Sequence, residues 1–266
     1  MNFLSTLYEQ GLGYSALNTA RSAISTIVTM ENNTTCGEHK TVRRFMKGVF
    51  ASRPALPRYS HTWDAETVLT HLDSLAPAES LSLKELTLKL TTLIALITGQ
   101  RCQTIYHMDI THMQKCEDKF RFFINDLIKT SKPGRPQPVL ILPKFTENIN
   151  RCVFKTLEVY LEKTANIRRS NKLLLSYRKP HAPVHKETIG RWVKTILGRA
   201  GIDITLFKAH STRAAATSAA KRAAVPMTSI MRAAAWQSDS TFRKFYEKPL
   251  QEENDFAHGV LNNKNR

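Results

Sequence analysis

Between Ser82 and Gly99 the chain spells a helix with almost no polar side. Ser82-Leu83-Lys84-Glu85 is a capping box, in which serine and a glutamate three residues on satisfy the free N–H groups of a first turn. Leu86, Leu88, Leu90, Leu93, Ile94 and Ile97 then cover most faces, and Gly99 suits the left-handed position that ends a helix. A helix that is apolar nearly all round has to be surrounded. The rest of the chain is therefore expected to wrap other elements around this one.

Those elements are legible on both sides. Upstream, a helix is expected over 15–30, with Ser15 as N-cap and Leu17, Ala20, Ile24, Ile27 and Val28 at helical spacing. Another is expected over 38–50, with Val42, Phe45, Met46 and Val49 inward and Arg43, Arg44 and Lys47 outward, where they could meet a phosphate backbone. Arg53-Pro54-Ala55-Leu56-Pro57-Arg58 then breaks the pattern and reads as an extended basic linker. A helix at 64–74 precedes the apolar one. After it, strands are expected at 108–114, 120–128 and 139–142, with a turn at Lys129-Thr130-Ser131-Lys132-Pro133-Gly134 before the third. Helices follow at 147–165, 186–200, 211–223, 226–235 and 239–247. The fold class is mostly α with a small antiparallel β-sheet (α+β). The expected division is a helical domain at 1–52, a linker at 53–60, a larger domain at 61–250 and a mobile or partner-dependent tail at 251–266.

The 42% hydrophobic content supports a real core and excludes a disordered tail. Lysine and arginine number 39 against 22 acidic residues, a net charge of +17 that points to a polyanionic partner, nucleic acid or an acidic membrane surface. No apolar run reaches the ~18–20 residues that span a bilayer. Met1-Asn2-Phe3-Leu4-Ser5 has neither the basic start nor the apolar core of a signal peptide. Nucleic acid is the expected partner and a membrane is not. Cys36, Cys102, Cys116 and Cys152 form no CxxC pair and read as reduced thiols of an intracellular protein. Neither Cys36/His39 nor His107/His112/Cys116 has a second half at zinc-site spacing, so no metal is assigned.

Against this background one ordered set stands out: Arg101, a lysine in the 129–132 turn, His210, Arg213 and Tyr246. Breaking a phosphodiester without a metal requires neutralising charge on the non-bridging oxygens, supplying a nucleophile and protonating the leaving oxygen. Arginine suits the first need because its planar fork stays charged and meets phosphate oxygens in pairs. Arg101 follows the Gly99 stop. Arg213 lies in the first turn after His210, where free N–H groups also favour an anion, and its alanine neighbours imply an assigned partner. Tyr106, Tyr160 and Tyr177 compete with Tyr246 as nucleophile, but Tyr106 and Tyr160 sit in apolar patterns that read as packing.

In order and approximate spacing, Thr98-Gly99-Gln100-Arg101, the turn lysine, His210-x-x-Arg213, Trp236 and Tyr246 resemble the tyrosine recombinase (phage integrase) family over about residues 55–250. Leu127-Ile128-Lys129-Thr130-Ser131-Lys132-Pro133-Gly134 and the Trp236-to-Tyr246 stretch look most like recombinases encoded by DIRS-type retrotransposons. The resemblance implies an integrase catalytic domain preceded by a partial, shortened helical core-binding domain. It implies site-specific cleavage and rejoining of double-stranded DNA through a 3′-phosphotyrosyl link, independent of metal, ATP or other cofactor, and in the nucleus if the element is eukaryotic. Tyr246 would attack, Arg101 and Arg213 would hold the phosphate, and His210 would assist proton transfer. Lys129 or Lys132 would protonate the departing oxygen, with Lys129 preferred as the residue ending a strand. Trp236 would donate one hydrogen bond where many members carry a second histidine. Arg243, Lys244 and Lys248 would favour the Tyr246 anion. Arg43, Arg44, Lys47, Arg53, Arg58, Lys132 and Arg243 are the expected additional DNA contacts, and a homotetramer on two duplexes is the expected assembly. Thr104 stands where many members carry a carboxylate. That departure and the short first domain leave a second reading, an inactive DNA-binding remnant of such an enzyme. A basic scaffold for RNA or a membrane surface has no aromatic RNA-binding signature or strongly basic amphipathic surface helix behind it.

Overall fold

The computed structural model describes residues 1–30, 34–54, 59–134, 136–236 and 238–250. Arg58 and the 251–266 tail lie outside them. The chain divides into two compact units, Met1–Arg58 and Tyr59–Arg266.

The first unit holds three helices, α1 (Asn2–Glu9), α2 (Tyr14–Ser25) and α3 (Lys40–Ser52). Leu4, Leu17, Val42, Met46 and Val49 form its small core. Helix α1 is not among the expected helices, having no side-chain cap to announce it. Helix α2 is shorter than its pattern predicts. That helix stops at Ser25 because Thr26-Ile27-Val28-Thr29 is a β-branched run that resists helical rotamers. Thr29 instead bridges Thr35, and Ile27 is 83% exposed. Arg43, Arg44 and Lys47 lie on the exposed face of α3. Arg53 is engaged inside the unit, its Nη1 donating to the Tyr8 carbonyl (2.5 Å) and the Leu12 carbonyl (3.3 Å).

The second unit is assembled around the apolar helix, α5 (Leu83–Thr98), which follows α4 (Ala65–Ser74). Ser82 caps α5 by accepting from the Glu85 N–H, and Gly99 closes it at φ 56°. Beyond the turn come α6 (Cys102–Tyr106) and an antiparallel sheet of β1 (Met113–Lys115), β2 (Lys119–Phe123) and β3 (Val139–Pro143), in the order β1-β2-β3. Helices α7 (Val153–Thr164), α8 (Lys186–Arg199), α9 (Ser211–Arg222), α10 (Met227–Ala233) and α11 (Asp239–Phe245) complete it. The fold is thus mostly helical with one small antiparallel sheet.

The strands are shorter than the sequence pattern predicts. Asp109 accepts a hydrogen bond from the Thr111 N–H and winds 110–112 into a single tight turn, leaving three residues for β1. β2 ends at Phe123, and Asp126 beyond it pairs with His107 and Lys172. The helix expected over 147–165 opens as a separate turn, Ile149–Arg151, before α7. The sheet buries Phe120, Phe122, Leu140 and Leu142 against the helices while Ile141 and Phe123 stay outward, the alternation of a one-sided sheet.

Helix α5 packs against α7, α8, α9 and β3. Its four buried threonines spend their hydroxyls on carbonyls one turn back: Thr87 on Leu83, Thr91 on Thr87, Thr92 on Leu88 and Thr98 on Ile94. Its buried lysine, Lys89, donates to the Leu75 carbonyl at 2.5 Å, so no polar group is left stranded in the axle of the fold. Leu90→Ala, at a fully buried position, is expected to lower stability by about 2–5 kcal/mol, because the surrounding helices cannot collapse into the space. Urea denaturation measures this, and a loss under about 1 kcal/mol would show that α5 is not the enclosed element described here.

Candidate active site

The site forms where the end of α5 meets the start of α9. Gly99 adopts a left-handed conformation at φ 56°. This reverses the chain into α6, with Arg101 as the α6 N-cap and its side chain half-buried. From the other side His210 occupies the N-cap of α9 and Arg213 its first turn. The approach to α9 is held by Trp63, whose buried Nε1 donates to Ser211 Oγ at 2.8 Å, while that hydroxyl donates to the Lys208 carbonyl at 2.7 Å.

Arg213 is wholly enclosed, at 0% exposure. Its Nη1 donates to the Gly99 carbonyl (2.5 Å) and its Nη2 to the Ala234 carbonyl (3.1 Å). The guanidinium carbon lies 5.0 Å from the centre of the Trp236 ring and 5.4 Å from that of Tyr246, within the range of cation–π attraction. Its alanine-lined helix thus does accompany an assigned partner, and that partner is main chain from two other elements. Arg213 Nε and Trp236 Nε1 are both buried donors with no acceptor among the described residues. Unpaired buried N–H groups carry a desolvation penalty, and here both belong to one cation–π pair.

Tyr246 closes the cluster. Its ring packs at a 32° tilt on Trp236 with centroids 4.5 Å apart, and its Oη lies 3.2 Å from His210 Nε2. Its main chain is fastened too. The buried hydroxyl of Ser218 on α9 donates to the Tyr246 carbonyl (2.8 Å) and accepts from the Lys248 N–H (3.1 Å). Ile230, Ala234, Trp236 and Phe242 form a small core of their own beneath this arm.

Lys129 is exposed and lies in the loop between β2 and β3, six residues past the strand it was expected to end. Two contacts place it. Its N–H donates to Gln103 Oε1 at 3.4 Å, beside Arg101 on α6, and the buried Ile128 before it bonds through its N–H to Ser131 Oγ at 2.9 Å. Its charge is felt at His210. That imidazole keeps one face open to solvent, yet the packed protein around it, then Arg213, Arg101 and Lys129, pull its pKa down to about 4. His210 is therefore neutral at physiological pH and able to accept a proton. The Arg213 pKa is lowered to about 10, first by burial and then by Arg101, with Tyr246 opposing. It stays protonated near neutrality.

The structure thus brings together Arg101, Lys129, His210, Arg213, Trp236 and Tyr246. Lys132 is exposed further along the loop. Arg243 lies on the exposed side of α11 and pairs with Asp239 at 3.1 Å, while the Lys248 ammonium lies 5.4 Å from the centre of the Tyr59 ring. Among the cations with described side chains, Arg213 is the one whose guanidinium lies over the Tyr246 ring, while Arg101 and Lys129 act on the neighbouring His210. The competing tyrosines are engaged elsewhere. Tyr160 is buried and accepts from the Leu175 N–H, Tyr106 stacks on His185, and Tyr177 packs at a tilt against Trp192. Thr104 is buried on α6 one turn past Arg101. The supports Trp63, Ser218 and Gln100 were not foreseen. No local pattern sets them apart, apart from Gln100 standing as a polar residue at the end of an apolar helix.

The phage integrase family pattern matches residues 64–253. Among solved structures the chain is similar to the XerH site-specific recombinase bound to difH substrate in a pre-cleavage complex, at TM-score 0.62 and 15% identity over 98% of this chain and 68% of that one. The post-cleavage complex of XerH with palindromic difH aligns at TM-score 0.66 and 15% identity, covering 98% of this chain and 70% of the other. A lambda integrase dimer bound to a COC′ core site aligns at TM-score 0.55 and 15% identity, over 95% of this chain and 79% of its counterpart. At such identities these likenesses speak for the fold. No curated protein matches the sequence. The family pattern covers more than half of the chain and the whole of the cluster just described, and the protein belongs to the phage integrase family, the tyrosine recombinases.

Proposed function

We propose that the protein cuts and rejoins double-stranded DNA at specific sites with Tyr246 as the nucleophile, forming a 3′-phosphotyrosyl link. The observation that carries this reading is the 3.2 Å contact between Tyr246 Oη and His210 Nε2, set beside the enclosed Arg213 guanidinium. A phenol at its usual pKa of ~10 attacks poorly at neutral pH unless a base takes its proton and cations steady the developing anion. Neutral His210 supplies the base, and Arg213, Arg101 and Lys129 supply the charge.

The scissile phosphate would seat against half-buried Arg101, and against Arg213 Nε and Trp236 Nε1 once the Tyr246 ring shifts to attack and uncovers them. Because both Nη groups of Arg213 already hold carbonyls, the grip is uneven: Arg101 makes the outer contact and Arg213 the inner one. The Tyr246 Oη–P bond forms as the P–O5′ bond breaks, the phenolic proton passes to His210, and Lys129 protonates the departing 5′-oxygen. Attack by a 5′-hydroxyl reverses each step, so rejoining needs no external energy source. Lys129 is preferred over Lys132 because its charge reaches His210.

Arg43, Arg44 and Lys47, exposed on α3, are proposed to contact the phosphate backbone, and recombination is proposed to run in a homotetramer on two duplexes. The wording around Lys129 and Tyr246 supports a DIRS-type mobile-element origin, with the nucleus as the place of action in a eukaryotic host. Among the described residues no helix is long and apolar enough to cross a membrane.

A pool of nicked duplexes randomised around the nick tests the chemistry, since the nick lets the released strand diffuse away and traps the adduct. The wild-type protein is expected to form a covalent protein–DNA adduct that resists denaturation. Tyr246→Phe should abolish it while binding persists. An adduct that survives this substitution would remove Tyr246 from its role, and binding without any adduct would favour the inactive-remnant reading.

Two further outcomes follow from the charges. Affinity for DNA should fall steeply and linearly in a log–log plot against salt, because each neutralised phosphate releases counterions; a flat plot would exclude backbone contact. The His210 pKa should lie far below 6.5 in the free protein, near 4, because burial and then the neighbouring cations depress it, and it should rise on DNA binding as a phosphate offsets the cationic part. NMR titration of the ring reads both values, and an unbound His210 titrating near 6.5 would contradict the site's electrostatics.

A further inference from the structure

We propose that Gln100 is a positioning residue: its side-chain amide clamps the end of α10 so that Trp236 and Tyr246 are presented to Arg101 and Arg213. The proposal rests on the recombinase reading for its consequence in catalysis but on its own geometry for the clamp.

Gln100 is 4% exposed, and its Nε2 donates to the Ala233 carbonyl at 2.6 Å. The residue before it, Gly99, offers its carbonyl to Arg213 Nη1, while Arg213 Nη2 takes the next carbonyl along, that of Ala234. Two consecutive residues after α5 are thus laced to two consecutive carbonyls at the end of α10, with the Arg213 fork between them. Neither lacing alone fixes the end of α10 in both position and rotation; together they do.

That end needs fixing. Ala235 adopts φ 54°, the left-handed region that favours glycine. The helix closes there through the Ala235 N–H to the Arg232 carbonyl (3.2 Å) and the Trp236 N–H to the Met231 carbonyl (2.9 Å). An alanine in this seat disfavours the closure sterically, so support from outside decides the direction of the next residue. The next residue is Trp236, whose ring covers Arg213 and packs against Tyr246. Loss of the Gln100 amide would leave Ala233 to Ala235 to relax toward ordinary backbone angles and carry the Trp236 ring away. An apolar residue at 100 would fill the space but could not hold the carbonyl.

The molecule contains its own control. Ala224 ends α9 in the same way, at φ 57°, with the Ala224 N–H on the Lys221 carbonyl and the Val225 N–H on the Ala220 carbonyl. Glycine at 224 or at 235 relieves the same kind of strain, but only 235 borders Trp236.

The experiment uses the full chain labelled with 15N, whose three tryptophan indole signals are assigned by Trp→Phe exchanges, together with the nicked-duplex pool. Gln100→Met, close in shape, should shift or broaden the Trp236 indole signal and leave those of Trp63 and Trp192 in place. It should also slow adduct formation about tenfold or more with little change in DNA affinity, as misplacement of reacting groups does. Adding Ala235→Gly should restore the signal and most of the rate. Adding Ala224→Gly should raise Tm comparably and restore neither. A Trp236 signal indifferent to Gln100→Met would overturn the clamp, as would equal rescue by Ala224→Gly, which would mark a general loss of stability. If the indole signals behave as expected but the wild-type protein forms no adduct, the recombinase reading fails while the clamp stands.

Discussion

A buried guanidinium organises this protein. Withdrawing a charge such as that of Arg213 from water costs on the order of several kcal/mol even after relaxation, so the surroundings must answer it fully. They do so with the carbonyls of Gly99 and Ala234 and the faces of Trp236 and Tyr246. These partners come from three stretches of chain: the end of α5, the end of α10 and the α11 arm. One side chain therefore fixes three segments, and the groups they carry converge because their segments do. Were Arg213 at the surface, its charge would be hydrated and would constrain nothing.

The same arrangement sets the electrostatics. Arg101, Arg213 and Lys129 are gathered at one place in a chain that already bears a net charge of +17. Burial first, and then these three cations, hold the His210 pKa down. An anion in such a cluster would offset these charges, and a preorganised set of cations and donors favours the charge it faces.

Much of the frame could be read from the chain because the rules involved are local. The Ser82 cap, the Gly99 stop and the apolar faces of α5 depend on neighbours within a few residues, and the structure has them where the pattern places them. The misreadings are local rules overridden. The β-branched Thr26 to Thr29 ended α2 early, and the Asp109 side chain diverted a strand into a turn. The strand that Lys129 is expected to end stops at Phe123, and Lys129 lies instead in a loop tied to Gln103 and Ser131.

What the sequence by itself determined is the inventory and its order: a buried central helix, a large basic excess, and two arginines, a lysine, a histidine, a tryptophan and a tyrosine in family order. Residue type and short-range spacing carry that information. Only the tertiary structure decided which groups meet. Arg213 and Gly99 are 114 residues apart, Gln100 and Ala233 are 133 apart, and Trp63 and Ser211 are 148 apart. Hydrogen bonds over such separations are chosen by how whole elements pack, and packing is a property of the assembled core that no local stretch of chain contains.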